Sequence, residues 1–193
     1  MPSSMYESFK EVDMKRRPMN LAVFVMCAIL LPARNVPGTD QMNPMDGDGS
    51  VKISGELKQW HKVTLALNGP FARESDADPN PFTDYRMAVT FRHKSGSPSY
   101  SVPGYFAADG KAANSSADSG NKWRAHLSPD KSGKWTYRVS MVAGENIAIK
   151  TDMDGKPLVK YHGKSGQFRI SPTDKAGRDF RRKGRLQYVG EHH

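Results

Sequence analysis

Acidic side chains are the first residues in this sequence that could do chemistry. Hydrolysis of a glycosidic bond needs two carboxylates that flank the bond, roughly 5–10 Å apart. Here the acidic residues of the central region stand among turn residues, where aspartate usually accepts hydrogen bonds from nearby backbone amides. We therefore predict that they stabilise turns and form no catalytic pair. The residues concerned are Asp76, Asp78, Asp84, Asp109, Asp118, Asp130, Asp152 and Asp154.

The serine, histidine and cysteine residues do not occur with the spacing that nucleophilic or thiol chemistry requires. The chain has 6 His and many Ser, but no Gly-x-Ser-x-Gly elbow that would present a nucleophilic serine. Its single cysteine, Cys27, excludes both a disulfide framework and a cage of thiolate ligands.

Three short patterns carry side chains that can bind metals. MDGDGS (residues 45–50) offers two aspartates, but the third ligand and the bidentate glutamate of an EF-hand-like loop are missing. Asp152 and Asp154 are explained by a tight Asp154–Gly155 turn. The terminal His192–His193 pair is explained by an interrupted connector or an engineered remnant. We predict no metal site and no cofactor.

Aromatic residues around a Pro-Gly turn form the one candidate ligand site. Aromatic rings stack on the C–H faces of sugars, and polar neighbours orient the sugar. The segment SYSVPGYFAADG therefore permits two interpretations: a sugar-binding site, or an apolar edge that packs on the core or on another domain. The candidate residues are Tyr100, Tyr105, Phe106 and Asp109.

The positive charge of the chain does not indicate nucleic-acid binding. Of a net charge of +9, much of the excess lies near the C-terminus, and the rest alternates along predicted strands as on a solvated sheet face. No basic motif with interleaved aromatic residues accompanies it. The C-terminal cluster comprises Lys175, Arg178, Arg181, Arg182, Lys183 and Arg185.

The N-terminus has the pattern of a secretory signal peptide. Basic residues 15–17 precede an apolar run, Leu21–Leu31, that is too short to span a bilayer. Cleavage after Ala33 is predicted, so residues 1–33 form the signal and the product is secreted or periplasmic, with no membrane attachment afterwards. Met14 is an alternative start. Lipid attachment at Cys27 is disfavoured because Val25 and Met26 precede it.

Residues 34–50 and 51–173 differ in composition. The first range is rich in Pro, Gly, Asp and Asn, which predicts a disordered linker. In the second, apolar residues alternate with polar ones in four long runs, as in β-strands. With 17 Gly and 13 Pro and turn signals between the runs, the sequence predicts an all-β, immunoglobulin-like antiparallel sandwich of 7–8 strands. Its predicted core comprises Leu65, Leu67, Phe91, Trp123, Trp135 and Tyr137.

Local signals predict several connections within the sandwich. Ser128–Gly133 (SPDKSG) is short enough for a hairpin, and Asp154–Gly155 predicts a type I′ turn between strands Ile147–Lys150 and Leu158–Tyr161. Phe168 and Ile170 belong to a closing strand. The polar insertion Lys111–Gly120 is predicted to be a loop.

Five segments carry a resemblance to a known family. They are GELKQWHKVTLALNGP, NPFTDYRMAVTF, VPGYFAADG, WRAHLSPDKSGKWTYRVS and GQFRISP, within residues 50–190. Together they resemble an N-terminal domain of unknown function that precedes an apiosidase-like (β/α)₈ barrel in secreted bacterial glycoside hydrolases and in proteins named for collagen binding. The resemblance implies that residues 174–193 are a basic connector leading into a truncated barrel, whose first strand would begin with Leu186, Tyr188 and Val189.

The resemblance also implies the function. The expected role is a non-catalytic accessory module that packs against a catalytic barrel absent from this chain, so the chain itself is not expected to be an enzyme. An independent carbohydrate-binding module, with a polysaccharide as partner, is the alternative, and a truncated hydrolase with residual activity is a remote one.

Overall fold

The alternating runs form nine β-strands and two one-turn helices in a computed structural model, which describes residues 43–151, 155–186 and 190. All of the described residues belong to one compact unit. Predictions that fall on residues 1–42, including the signal peptide, lie outside this part of the chain. The elements are β1 Val51–Gly55, β2 Val63–Arg73, β3 Tyr85–His93, β4 Ser99–Pro103, β5 Tyr105–Phe106, α1 Ala112–Ser115, β6 Ser119–Leu127, β7 Gly133–Ala143, β8 Lys156–Pro157, β9 Ser165–Ile170 and α2 Phe180–Lys183.

The strands form two antiparallel sheets. The first has the order β1-β2-β6-β5, and the second has the order β4-β3-β7, with β8 and β9 both paired to β7. These orders match the A-B-E-D and C-F-G sheets of an immunoglobulin domain, with β4 as an additional strand beside the C position. The predicted all-β, immunoglobulin-like sandwich is therefore confirmed.

The core lies between the two sheets because each strand turns its apolar face inward. Leu65 and Leu67 of β2 and Phe91 of β3 are fully buried, as are Trp123 of β6 and Trp135 of β7. Both indoles donate to backbone carbonyls, of Pro70 and Lys131 respectively, each at 3.0 Å. Burial of large aromatic rings with their N–H groups satisfied stabilises a domain that has no disulfide among its described residues. Tyr137, also predicted in the core, lies partly buried at its margin.

The predicted hairpin at Ser128–Gly133 is wrong. β6 and β7 belong to different sheets, so this connection carries the chain across the sandwich. On β7, the pairing positions are taken by β3 on one side and by β8 and β9 on the other. Turn residues mark where a strand ends, but they do not determine which sheet the next strand joins.

The two predicted strands around residues 151–154 are also wrong. Ile147–Lys150 lies in turns, and Leu158–Tyr161 lies in turns after the two-residue strand β8. Ile147 and Tyr161 are nevertheless buried, so their apolar character reflects packing from loops. Asp152 and Asp154 lie outside the described residues.

Residues 43–50 are ordered against β2, although their composition predicts a linker. The Gly47 amide donates to the Gly69 carbonyl at 2.8 Å, and the Gly49 amide donates to the Asn68 carbonyl at 2.9 Å. The Asp46 carboxylate accepts from the Phe71 amide at 2.8 Å. Hydrogen bonds to the middle of β2, rather than apolar burial, therefore hold this segment, and the linker prediction fails for its last eight residues.

The outermost strands are short. β5, at one edge of the first sheet, has two residues, and β4, at one edge of the second sheet, has five and ends at Pro103. The predicted loop at Lys111–Gly120 contains the single turn of α1 and the first residues of β6. Among the described residues, no helix is both long and apolar enough to cross a bilayer.

Candidate functional site

Three chain segments meet at one end of the sandwich, which we name the connector end. They are the β1–β2 loop (56–62), the β6–β7 connection (128–132) and the residues that follow β9 (171–186). The Ser171 amide donates to the Leu57 carbonyl and the Gln59 amide donates to the Ser171 carbonyl, each at 2.9 Å. The Trp60 amide donates to the Pro129 carbonyl at 2.8 Å. The chain that leaves β9 is therefore fixed to the sandwich by backbone hydrogen bonds.

An open groove of about 260 Å³ lies at the connector end. Among the residues that line the groove, the Trp60 indole lies beside Gly184, at the C-terminal end of α2. Phe180, also in the lining, is 76% exposed. The groove therefore combines apolar and cationic groups. The lining residues are Trp60, Ser128, Phe180, Arg181, Gly184 and Arg185.

Tyr100 is engaged at the connector end rather than presented to a ligand. Its hydroxyl donates to the Asp130 carboxylate and accepts from the Arg185 guanidinium, which also donates to Asp130 at 3.2 Å. Its ring is stacked on Trp135, with centroids 6.2 Å apart, and the guanidinium carbon lies 5.1 Å from the ring centroid. Burial, together with the Asp130 carboxylate, raises the pKa of Tyr100. Tyr100 therefore anchors residues 171–186 to the second sheet.

The other three candidate sugar-binding residues do not form one common surface either. Phe106 is 7% exposed and packs on Trp123, with ring centroids 5.3 Å apart, so it belongs to the core. The Asp109 carboxylate accepts from the Lys111 amide at 2.6 Å and from the Ser115 hydroxyl at 2.7 Å, and these bonds lower its pKa. Tyr105 is the one of the four candidates with a substantially exposed ring, at 46%.

Tyr105 has one polar neighbour that can orient a ligand. Its hydroxyl lies 3.0 Å from Nε2 of His126, whose Nδ1 lies 3.0 Å from the Thr64 hydroxyl. Burial, with the nearby charges of Lys62 and Arg124, lowers the pKa of His126. Tyr105 and His126 therefore present a small aromatic surface on the first sheet, away from Tyr100 on the second.

Two of the predicted turn carboxylates, Asp76 and Asp84, accept from backbone amides of loops, whereas Asp130 departs from the prediction by binding Tyr100 and Arg185. Asp76 accepts from the Arg73 amide at 2.7 Å. Asp84 accepts from the amides of Asn80 and Asn146, each at 2.9 Å. Although burial opposes ionisation of Asp84, these hydrogen bonds hold its pKa below the ordinary value. The two carboxylates stabilise loops rather than standing free for proton transfer.

A cluster of ionisable groups lies beside the groove, and the sequence analysis missed it. The Nε2 atom of His61 lies 3.5 Å from Glu56 Oε2 and 3.8 Å from Asp174 Oδ1. Lys58 Nζ contacts Asp174 Oδ2 at 2.5 Å, and Lys175 Nζ contacts Asp174 Oδ1 at 3.2 Å. These two ammonium groups hold the pKa of Asp174 well below its usual range. Asp174 therefore remains a carboxylate throughout the physiological range.

No local sequence signal marks this cluster. Glu56 and His61 lie in one loop with a spacing typical of no metal motif, and Asp174 is more than a hundred residues away. Their approach depends on a parallel bridge between Lys58 and Ser171, which joins the β1–β2 loop to the chain after β9. Only the topology of the sandwich places these residues together.

The fold and its connector end thus define a two-sheet β-sandwich module. Within it, residues 56–142 match a domain of unknown function, DUF5060, from the β1–β2 loop to the second-last residue of β7. The match confirms the resemblance to a domain of unknown function; the position of that domain before a barrel remains an expectation.

The chain also has a distant similarity to a much larger solved structure. This is the crystal structure of a putative glycoside hydrolase from Bacteroides vulgatus, with 23% sequence identity over 61% of this chain and a TM-score of 0.38. The chain spans 16% of that protein's length. No curated protein matches the sequence.

Proposed function

We propose that this chain is a non-catalytic accessory module of a secreted, glycoside hydrolase-associated enzyme, and that it packs against a catalytic barrel through its connector end. The observation that carries the proposal is the attachment of residues 171–186 to the sandwich. Backbone hydrogen bonds of Ser171 and the Arg185–Tyr100–Asp130 contacts fix this segment. A fixed segment limits the positions that a domain following it can take.

Exposed apolar side chains on the fixed segment support a docking role. Phe180 is 76% exposed and Leu186 is 95% exposed, both beside the groove or just after it. Apolar side chains at a module edge are typical of an interface between domains. In the proposal, the barrel covers Phe180 and Leu186 and contacts the Trp60 side of the groove.

The chemistry of the groove lining supports the non-catalytic assignment. The groove lining contributes two arginines and no carboxylate. Asp76, Asp84 and Asp109 are hydrogen-bonded within loops. Hydrolysis of a glycosidic bond requires a carboxylate pair across a cleft, so we assign the chemistry to the barrel.

Direct carbohydrate binding is the second candidate function, and Tyr105 favours it. Its half-exposed ring and the adjacent His126 offer one stacking surface and one polar contact. A single aromatic platform supports weak binding at most, because specific sugar sites use several convergent polar groups.

The experiment that tests the docking proposal supplies an apiosidase-like barrel as a separate chain. Binding of the full chain is measured by calorimetry, with Phe180→Ser and Leu186→Ser as test variants. We expect each to weaken binding about tenfold, from loss of buried apolar area. The matched controls Ile149→Ser and Val159→Ser replace equally exposed apolar residues on loops near the other end of β7, and they should bind as the parent does. Equal losses in all four variants, or no complex, would refute the docking role.

Affinity electrophoresis on polysaccharide gels separates the two functions. Accessory docking predicts that the chain migrates as it does in a gel without polysaccharide. Retardation that is lost on Tyr105→Ala would instead establish carbohydrate binding. Hydrolysis of an aryl glycoside by the purified chain alone would contradict the non-catalytic assignment.

Export is tested by N-terminal sequencing of the mature protein, with cleavage after Ala33 as the expected result.

A further inference from the structure

His61 is a buried histidine with one nitrogen left without a hydrogen bond. The residue is 3% exposed. Its Nδ1 lies 2.8 Å from the Gln59 carbonyl oxygen, which can only accept, so Nδ1 carries a proton and donates. Nε2 is buried and has no hydrogen-bond partner among the described residues. Such a nitrogen requires an explanation, because nearly all buried polar atoms in proteins are paired.

Two carboxylates converge on this nitrogen. Glu56 Oε2 and Asp174 Oδ1 lie 3.5 Å and 3.8 Å from Nε2, and the three atoms all lie within 4.8 Å of one another. A charge-assisted N–H···O bond is shorter, at roughly 2.7–2.9 Å. In contrast, two ligands on a tetrahedral ion with bonds of about 2.0–2.1 Å are roughly 3.3–3.4 Å apart. The two distances from Nε2 exceed that separation by a few tenths of an ångström, and the two carboxylate oxygens, within 4.8 Å of each other, would approach by up to about 1.4 Å on a shared ion.

Two features of the surroundings suit a metal centre. The Gln59 carbonyl that accepts from Nδ1 fixes the ring orientation and directs the Nε2 lone pair at the carboxylates, as outer partners of metal-bound histidines do. The Glu56 and Asp174 side chains are each 49% exposed, so ions and a fourth, water ligand can enter. One imidazole nitrogen and two carboxylate oxygens suit Zn²⁺ and similar transition ions better than Ca²⁺ or Mg²⁺, which take oxygen ligands.

We propose that Glu56, His61 and Asp174 bind one divalent transition-metal ion, with Zn²⁺ as the best fit, and that the ion ties the connector to the β1–β2 loop. Glu56 and His61 come from the loop and Asp174 from the connector, so the ion crosslinks two segments that are more than a hundred residues apart. The site is independent of the proposed accessory function, because it requires neither a barrel nor a sugar.

Lys58 competes with the ion. Its ammonium lies 2.5 Å from Asp174 Oδ2 and 3.5 Å from Glu56 Oε2, so it bridges the same two carboxylates. A bound ion displaces Lys175, whose ammonium contacts the ligand atom Asp174 Oδ1 at 3.2 Å, whereas Lys58 leaves only Glu56 and can keep its contact with Asp174 Oδ2. Removal of the Lys58 charge should therefore strengthen metal binding.

Calorimetric titration of the full chain with Zn²⁺ tests the proposal. All proteins carry His192→Ala and His193→Ala, since the terminal histidine pair is an alternative ligand. We expect one ion per chain. Asp174→Asn, Glu56→Gln and His61→Gln should each weaken binding at least tenfold. Lys58→Met should tighten it about tenfold, because a unit charge a few ångströms from a divalent ion repels it even in water. The exposed Glu145→Gln is the matched control and should bind as the parent does.

A second measurement separates metal ligation from misfolding. Asp174→Asn and Glu56→Gln change half-exposed side chains, so both variants should melt close to the parent without metal. Long-range ¹H–¹⁵N spectra should show Zn²⁺ shifting Nε2 of His61 while Nδ1 stays protonated. Saturable one-to-one binding that survives Asp174→Asn and Glu56→Gln would overturn the proposal. Absence of saturable binding in the parent would overturn it as well.

Discussion

The Trp60 indole lies so close to Gly184 that the position has no room for a side chain. A Cβ on Gly184 would lie 2.8 Å from Cζ2 of Trp60, and the backbone φ of +86° disfavours any residue other than glycine. Gly184 is therefore one of the points at which residues 171–186 fit against the β1–β2 loop.

Gly184→Ala should separate this segment from Trp60. Trp123 and Trp135 are buried, so acrylamide quenching of tryptophan fluorescence reports mainly on Trp60. We expect quenching to increase in the variant. Gly177→Ala is the control, because Gly177 also has a positive φ, of +64°, but nothing lies within 4 Å of its Cβ position. Equal quenching in both variants would show that the Trp60 contact does not hold the segment.

Trp135→Ala should be strongly destabilising. The side chain is fully buried between the sheets, and truncation of a buried tryptophan costs about 3–5 kcal/mol. Urea unfolding monitored by circular dichroism measures the loss, with Val159→Ala as an exposed control expected to stay within about 0.5 kcal/mol of the parent. A near-unchanged unfolding midpoint for Trp135→Ala would contradict its core position.

Stability should fall as the pH drops below about 6.5, in part because of His126. Burial and the charges of Lys62 and Arg124 lower its pKa in the folded state, whereas the unfolded chain has the ordinary value near 6.5. In this range the unfolded state binds more protons, so acid favours unfolding. His126→Gln should therefore show a smaller drop in urea midpoint from pH 7.5 to 5.5. Between pH 8.5 and 7.5 the parent and the variant should change in parallel; the same acid-side drop in both proteins would be inconsistent with this assignment.

Asp46→Ala should weaken the attachment of residues 43–50 to β2. The carboxylate accepts from the Phe71 amide, and a lost hydrogen bond of this kind costs about 1 kcal/mol. Hydrogen exchange should show faster exchange at the Phe71 amide. Asp46→Asn keeps an acceptor oxygen at the same position and should retain most of the protection. If the alanine variant exchanges no faster than the asparagine variant, the hydrogen bond does not hold the segment.

The sequence was sufficient to locate the long strands. Val89 and Phe91 of β3 are fully buried, while Thr90 between them and Arg92 after them are exposed, because successive residues of a strand point to opposite faces. The same alternation separates the exposed Tyr105 from the buried Phe106. Grouping these two residues in one candidate site ignored this rule.

Features that depend on distant residues could not be read from local patterns. The hydrogen bonds between residues 43–50 and β2 use backbone groups, whose partners composition does not reveal. The assignment of β6 and β7 to different sheets follows from the pairing of all nine strands. The Glu56–His61–Asp174 cluster requires the bridge between Lys58 and Ser171. In each case long-range topology supplied the information that turn residues and periodicity lack.

The outer strand β4 limits how two copies of this sandwich can associate. Proline has no amide hydrogen, so Pro103 withholds a donor from the open side of a strand that is only five residues long. On the other sheet, β5 offers only two residues for pairing. At these two sheet edges, a neighbouring molecule can add a strand only over a few residues. Contacts made there rely mainly on side chains, which disfavours amyloid-like stacking from these borders.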